Sequence, residues 1–164
     1  MRASDILSEL PATRTHREEL YQEFHRHPEL SMREYNTVAS IEKKLADVSI
    51  PSQHVGETGL IVALENGDGP VVALRGDIDD LPVREDSGVP YASVDMEPAS
   101  ASEDFSVIPR ALGVPYLFWG LGGFADPASA PGNRSPAFCS DFQPTLDRGV
   151  EALMVAAFSV SRDF

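Results

Sequence analysis

The chain has 164 residues, enough for one domain with a core of its own. Its 42% apolar and 24% charged content is that of a globular protein. Acidic residues outnumber basic ones 26 to 13, a net charge of −13 that opposes binding to nucleic acid or to an anionic membrane surface.

The N-terminal stretch "MRASDILSELPATRTHREEL" is too polar and too acidic for a signal peptide. No apolar run approaches the roughly 18 residues that mark a transmembrane helix. The expected location is therefore the cytoplasm. The first helix is predicted over residues 14–26, with Leu20, Tyr21 and Phe24 on one side. It ends at "HPE", because Pro28 pushes His27 out of the helical region. A second helix is predicted from "SMRE", where Ser31 and Glu34 fit a capping box and Tyr35, Val38, Ile41 and Leu45 recur at helical spacing.

From Pro51 the pattern changes to strands. "GLIVALE" and "PVVALR" are apolar runs on either side of "NGDG" at 66–69, which has strong turn chemistry. Both runs read as strands buried on two faces, in a central sheet covered by helices. The twenty or so residues of "REDSGVPYASVDMEPASASED" carry little pattern, which is uncommon inside a compact domain. A short helix is predicted near Ser102, with Glu103 and Asp104 in its first turn. "YLFWGL" reads as another buried strand and "GGFADPASAPGNRSP" as a loop. A closing helix follows in "PTLDRGVEALMVAAFSVS", with Leu146, Val150, Leu153, Ala157 and Val160 along one stripe. This order predicts a three-layer α/β domain.

Residues that could carry chemistry are few. Asp77, Asp79 and Asp80 in "RGDIDDLP" crowd a strand end, where they would be solvated acids or hold a metal. The histidines are His16, His25, His27 and His54. His25 and His27 stand two apart on a helix, so they point apart, and local hydrogen bonding at the helix end is the expected role. Cys139 is the one cysteine, which excludes an internal disulfide and a Cys-rich zinc motif. It has no His or second Cys near it in sequence and reads as a structural thiol. Motifs for a serine nucleophile or a phosphate loop are absent.

Three segments, "YQEFHRHPELSMREYNTVASIEKKL", "GETGLIVAL" and "VVALRGDIDDLPVREDSGVPYAS", resemble the N-terminal part of the zinc-type amidohydrolases. The subgroup is that of hippurate hydrolase, N-acyl-amino-acid hydrolases and auxin-conjugate hydrolases. "ASEDFSVIPRALGVPYLFWGLGG" and "GNRSPAFCSDFQPTLDRGVEALMVAA" resemble the C-terminal part of the same family. The resemblance implies a three-layer remnant of a zinc-peptidase-like catalytic domain, without the lid and dimerisation domain. Residues 1–93 would be its N-terminal part, 94–101 the join of an internal deletion, and 102–164 its C-terminal part.

In the full-length family the resemblance implies zinc or manganese and a small N-acyl amino acid as substrate. The family's H-A-C-G-H-D segment and its Glu-Glu pair, which supply metal ligands and the general base, have no counterpart here. A motif of N-H-S-P type reads "NRSP", with Arg134 in place of the ligand His. Arg stays protonated and cannot ligate zinc. Asp77 matches the family Asp beside the metal centre. No metal or other cofactor is therefore expected in this chain, and no catalytic residue is retained. Asp77, Asp79, Glu103, Asp104 and Arg134 are the candidates for a residual cleft. The leading expectation is a hydrolase relative that no longer cleaves amides. The alternatives are a metal-free binding module using the cleft and a residual hydrolase with a rearranged metal site. Removing part of the sheet would expose apolar strands, so self-association or a protein partner is expected there.

Overall fold

The computed structural model describes residues 3–65, 67–69, 71–80, 83–93, 106–132 and 134–160. The elements are α1 (Ala3–Leu7), a 3-10 turn (Leu10–Thr13), α2 (Arg14–Arg26), α3 (Tyr35–Asp47), β1 (Ser52–Val55), β2 (Gly59–Val62), α4 (Val107–Leu112) and α5 (Phe142–Val160). Helix α2 has the span that its sequence predicts. Its half-buried face carries Leu20, Tyr21 and Phe24.

Helix α2 is the centre of the packed region. On one side it meets α3, where Ser40 Oγ and Lys44 Nζ both donate to Glu23, each at 2.9 Å. On the other it meets α5. Arg17 Nη2 donates to Asp147 Oδ1 at 2.6 Å, and Arg14 Nε to Asp147 Oδ2 at 2.9 Å. Gln143 Nε2 donates to Glu18 Oε1 at 2.8 Å. Tyr21, Tyr91 and Phe142 form an aromatic cluster. Tyr21 stacks on Phe142 with ring centroids 5.0 Å apart, and Tyr91 meets Tyr21 edge-on at 6.2 Å. Helix α1 packs on α5 as well. The segments before and after residues 94–105 thus pack against one another, while the predicted join at 94–101 lies outside the described residues.

Helix α3 starts at Tyr35, later than the sequence predicts, and not through the Ser31–Glu34 capping box. Met32 takes a left-handed backbone (φ 65°), and Glu34 Oε1 accepts the Met32 N–H at 3.0 Å instead. The cap comes from Glu29. Its carboxylate accepts the N–H of Asn36 and of Thr37, at 3.1 and 2.7 Å, and the Thr37 hydroxyl at 2.8 Å. An anion at a helix start satisfies donors that have no partner within the helix.

The sheet differs most from expectation. Among the described residues it has two antiparallel strands, β1 and β2, with Ser52 opposite Val62 and Val55 opposite Gly59. The hairpin turns at Gly56, which takes φ 66°, and not at "NGDG". "PVVALR" and "YLFWGL" form no strand over their described residues. Leu64 is 74% exposed, Val71 95% and Phe118 65%. A strand is stable only beside partners that complete its hydrogen bonds and cover its faces. No hydrogen-bonded ladder forms along these runs among the described residues, which build a helical cluster with a small two-stranded hairpin. Among the described apolar side chains only Val38 and Tyr91 are buried.

The short helix expected near Ser102 begins at Val107, and residues 102–105 lie outside the described residues. The closing helix is present. Gln143 has extended dihedrals (φ −119°, ψ 139°), so its regular part starts at Pro144, as the sequence predicts. No helix of the described residues is long and apolar enough to cross a membrane.

Candidate functional site

A cavity of about 420 Å³ lies at the C-terminal end of α2. Four segments form it. Helix α2 contributes Tyr21, Phe24 and His25, and the chain after its Pro28 break continues the wall. The stretch 77–80 brings Asp77, Ile78, Asp79 and Asp80, held by the Asp80 N–H donating to the Glu29 carbonyl at 2.9 Å. The stretch 83–93 brings Val83, Glu85 and Ser93, and the last wall runs from Ser135 to Ser140.

Glu85 is the buried polar centre of this cavity, 8% exposed. His25 Nε2 lies 2.8 Å from Glu85 Oε2. The Ser93 N–H donates to the same oxygen at 2.9 Å, and the Ser87 hydroxyl donates to Oε1. Burial alone would push this carboxyl up. The hydrogen bonds from Ser87, Ser93 and His25 outweigh it and hold the group below the ordinary carboxylate value. Cys139 completes the cluster. Its Sγ, an imidazole nitrogen of His25 and a carboxylate oxygen of Glu85 all lie within 4.8 Å of one another. Burial, and then the neighbouring Glu85 charge, push the thiol up.

The aspartates occupy the other part of the wall. Asp79 is raised, by burial first and then by the charge of Asp77 and a hydrogen bond with it. Asp77 is exposed and pairs with Arg75 at 3.2 Å. Of the other residues that the sequence singles out, Arg134 is exposed and outside the cavity wall, and Glu103 and Asp104 lie outside the described residues. Of the cleft candidates Asp77, Asp79, Glu103, Asp104 and Arg134, the described residues place Asp77 and Asp79 in one cavity wall.

Among the described residues, Asp77 and Asp79 do not fit the zinc centre that the resemblance implies. Asp77 is tied to Arg75 and Asp79, and among the described residues it does not converge with two further ligating side chains. Carboxylates without an imidazole or thiolate also suit zinc poorly.

No spacing or motif joins His25, Glu85 and Cys139, which come from three separate segments. His25 makes a long-range hydrogen bond in place of the expected local one. His27, two residues on, is exposed, so the two imidazoles do point apart. His54 pairs with Glu42 at 2.7 Å, far from the site in sequence and on another element.

Comparison with known proteins adds to this geometry. No protein-family model matches the chain. An uncharacterised hydrolase of Staphylococcus aureus (strain bovine RF122) is 41% identical over 87 residues, 53% of this chain and 22% of that protein. "Putative amidohydrolase YhaA" of Bacillus subtilis is 40% identical over 77 residues, 46% of this chain and 19% of that protein. About half of the chain is thus similar to a hydrolase and to a putative amidohydrolase. Its matched part spans about a fifth of the length of these curated relatives. A solved structure, the Bacillus subtilis protein YxeP, described as a dinuclear metal-binding peptidase of the M20 family, is 37% identical with a TM-score of 0.47. It covers 51% of this chain and 24% of that one.

Proposed function

We propose that the chain is an internally shortened relative of the N-acyl-amino-acid amidohydrolases that does not cleave amides. The observation that carries this reading is the position of Arg134. It stands where the family motif has a ligand His, and its exposed side chain is not among those lining the cavity that holds Asp77 and Asp79. Amide hydrolysis by a metal needs about three protein ligands, an open position for water and a base within reach of that water. The Asp77–Asp79 pair, held beside Arg75, supplies none of these as a set. The test is release of the amino acid from N-acyl substrates with zinc, manganese or cobalt supplied. The reading expects none above buffer. Turnover would favour the residual-hydrolase alternative.

A second reading, a binding module, is supported by the cavity itself. Apolar walls from Phe24, Val83 and Phe138 face Asp79 and Glu85. Such a lining suits a cationic or amide-bearing ligand and opposes a free carboxylate. A rise in melting temperature with a cationic amide, and none with its N-acyl amino acid counterpart, supports this reading. The apolar segments left uncovered also lead us to propose association with a second copy or another protein.

A further inference from the structure

We propose that His25, Glu85 and Cys139 bind one thiophilic divalent cation, zinc first, at a site separate from the ligand positions of the amidohydrolase family. The inference does not depend on whether the chain hydrolyses anything.

The donor set is the first reason. One imidazole, one carboxylate and one thiol form a mixed N, O, S set that suits zinc and excludes magnesium and calcium. Their ligand atoms already lie within 4.8 Å of one another. Two ligands about 2.0 Å from a tetrahedral zinc stand about 3.3 Å apart. The His25–Glu85 distance of 2.8 Å must therefore open by about half an ångström, and Sγ must draw in. Both are side-chain movements, and the adjoining cavity gives room for them.

The second reason is that the ligands are held from behind. The Ser93 N–H and the Ser87 hydroxyl fix both oxygens of Glu85. Such supporting hydrogen bonds orient a ligand before the ion arrives. The ring of Tyr91 stands edge-on to His25, with centroids 5.3 Å apart. The third reason is the open side. Three protein ligands leave a fourth position, and His25, Glu85 and Cys139 all line the cavity.

Binding is a proton exchange. The cation takes the place of the hydrogen bond between His25 Nε2 and Glu85 Oε2, and any proton held on Nε2 passes to Nδ1 or to solvent. Cys139 loses its S–H proton as the S–metal bond forms. Protons displaced from the cluster pass to solvent, and no oxidant or reductant is involved. Cys139, whose thiol burial pushes up in the free protein, binds the cation as the thiolate.

The experiment is titration of the full chain with cobalt(II), followed by absorption. Cys139 is the one cysteine in the chain, so a thiolate-to-cobalt charge-transfer band reports this site alone. The expected result is a band that saturates at one ion per chain in the monomer fraction. Zinc should displace the cobalt, and alkylation of Cys139 should slow about tenfold or more when zinc is bound. His25→Ala should weaken the affinity at least about tenfold. Glu42→Gln, on α3 and outside the cavity wall, should leave the band intact. Circular dichroism of each variant separates loss of the site from loss of the fold. No thiolate band with the native chain would overturn the proposal. So would a band that a folded His25→Ala variant keeps at full affinity, or one that saturates at half an ion per chain.

Discussion

The Glu29 carboxylate closes the start of helix α3 on Thr37, taking its backbone N–H at 2.7 Å and its hydroxyl at 2.8 Å. The carbonyl of the same residue receives the Asp80 N–H at 2.9 Å. One residue therefore fixes both the first turn of α3 and the aspartate wall of the cavity. Glu29→Ala should destabilise the chain by about 1–2 kcal/mol, the usual loss of a helix cap. Ser31→Ala, at the capping-box position that the chain does not use, should change stability by less than about 0.5 kcal/mol. Urea unfolding of the two variants compares them directly.

Acid should weaken the fold through two carboxylates. Asp147 is held down by hydrogen bonds from Arg14 and Arg17. Burial raises the Glu29 carboxyl, but the four hydrogen bonds from Thr37 and Asn36 bring it below its usual value. A depressed carboxyl stabilises the folded state above its unfolded pKa, about 4. That contribution is lost as pH falls from there through the lower folded value. Asp147→Asn should flatten the fall in melting temperature below about pH 4. An unchanged acid limb in this variant would show that the Arg14–Asp147–Arg17 contact is not formed in solution.

Asp79 should act in the opposite sense. Burial and the Asp77 charge raise its carboxyl, so the folded state carries a penalty when the group is ionised. The penalty is full above the folded pKa and fades as pH falls through it. Asp79→Asn should raise the melting temperature at pH 7 by about 1–2 °C, with a smaller gain near pH 4. A lower melting temperature at pH 7 would mean that the Asp77–Asp79 hydrogen bond outweighs the repulsion.

The helices were legible in the sequence because their signals are local. The Leu20, Tyr21 and Phe24 face and the Pro28 break lie within a few turns of one another, and α2 falls where they place it. The cap of α3 was missed because Glu29, five positions before Glu34, reaches it only after the chain bends at Met32. Two further strands were expected and do not form over the described residues, for a different reason. "PVVALR" and "YLFWGL" have strand composition, but pairing is non-local, and composition cannot say whether a partner is present. On the proposed reading, the partners belong to the segment that this chain lacks. The His25–Glu85–Cys139 cluster was invisible for the same reason, since no spacing rule connects its three segments.

Exposed apolar side chains set the expectation for solution behaviour. Leu117, Phe118 and Leu121 lie exposed beside Trp119, which is 39% exposed and the one tryptophan of the chain. Such a patch should be covered by a second copy as concentration rises. Trp119 emission should shift to shorter wavelength between low and high micromolar protein, with a matching rise in light scattering. Leu117→Asp should weaken both changes. Emission and scattering that stay constant over this range, with no binding of a hydrophobic dye, would show that the patch is closed in solution.

The most direct measurement of the central claim is the initial rate of N-acyl amino acid cleavage by the repurified chain and its Arg134→His variant. Zinc, manganese or cobalt is added, with EDTA as the control. Arg134 is exposed and outside the cavity wall, so restoring one imidazole there leaves the remaining ligands and the base still missing. The predicted result is no EDTA-sensitive release of amino acid by either protein, with every metal. Turnover that survives repurification and stops with EDTA, in the native chain or in the variant, would contradict the account.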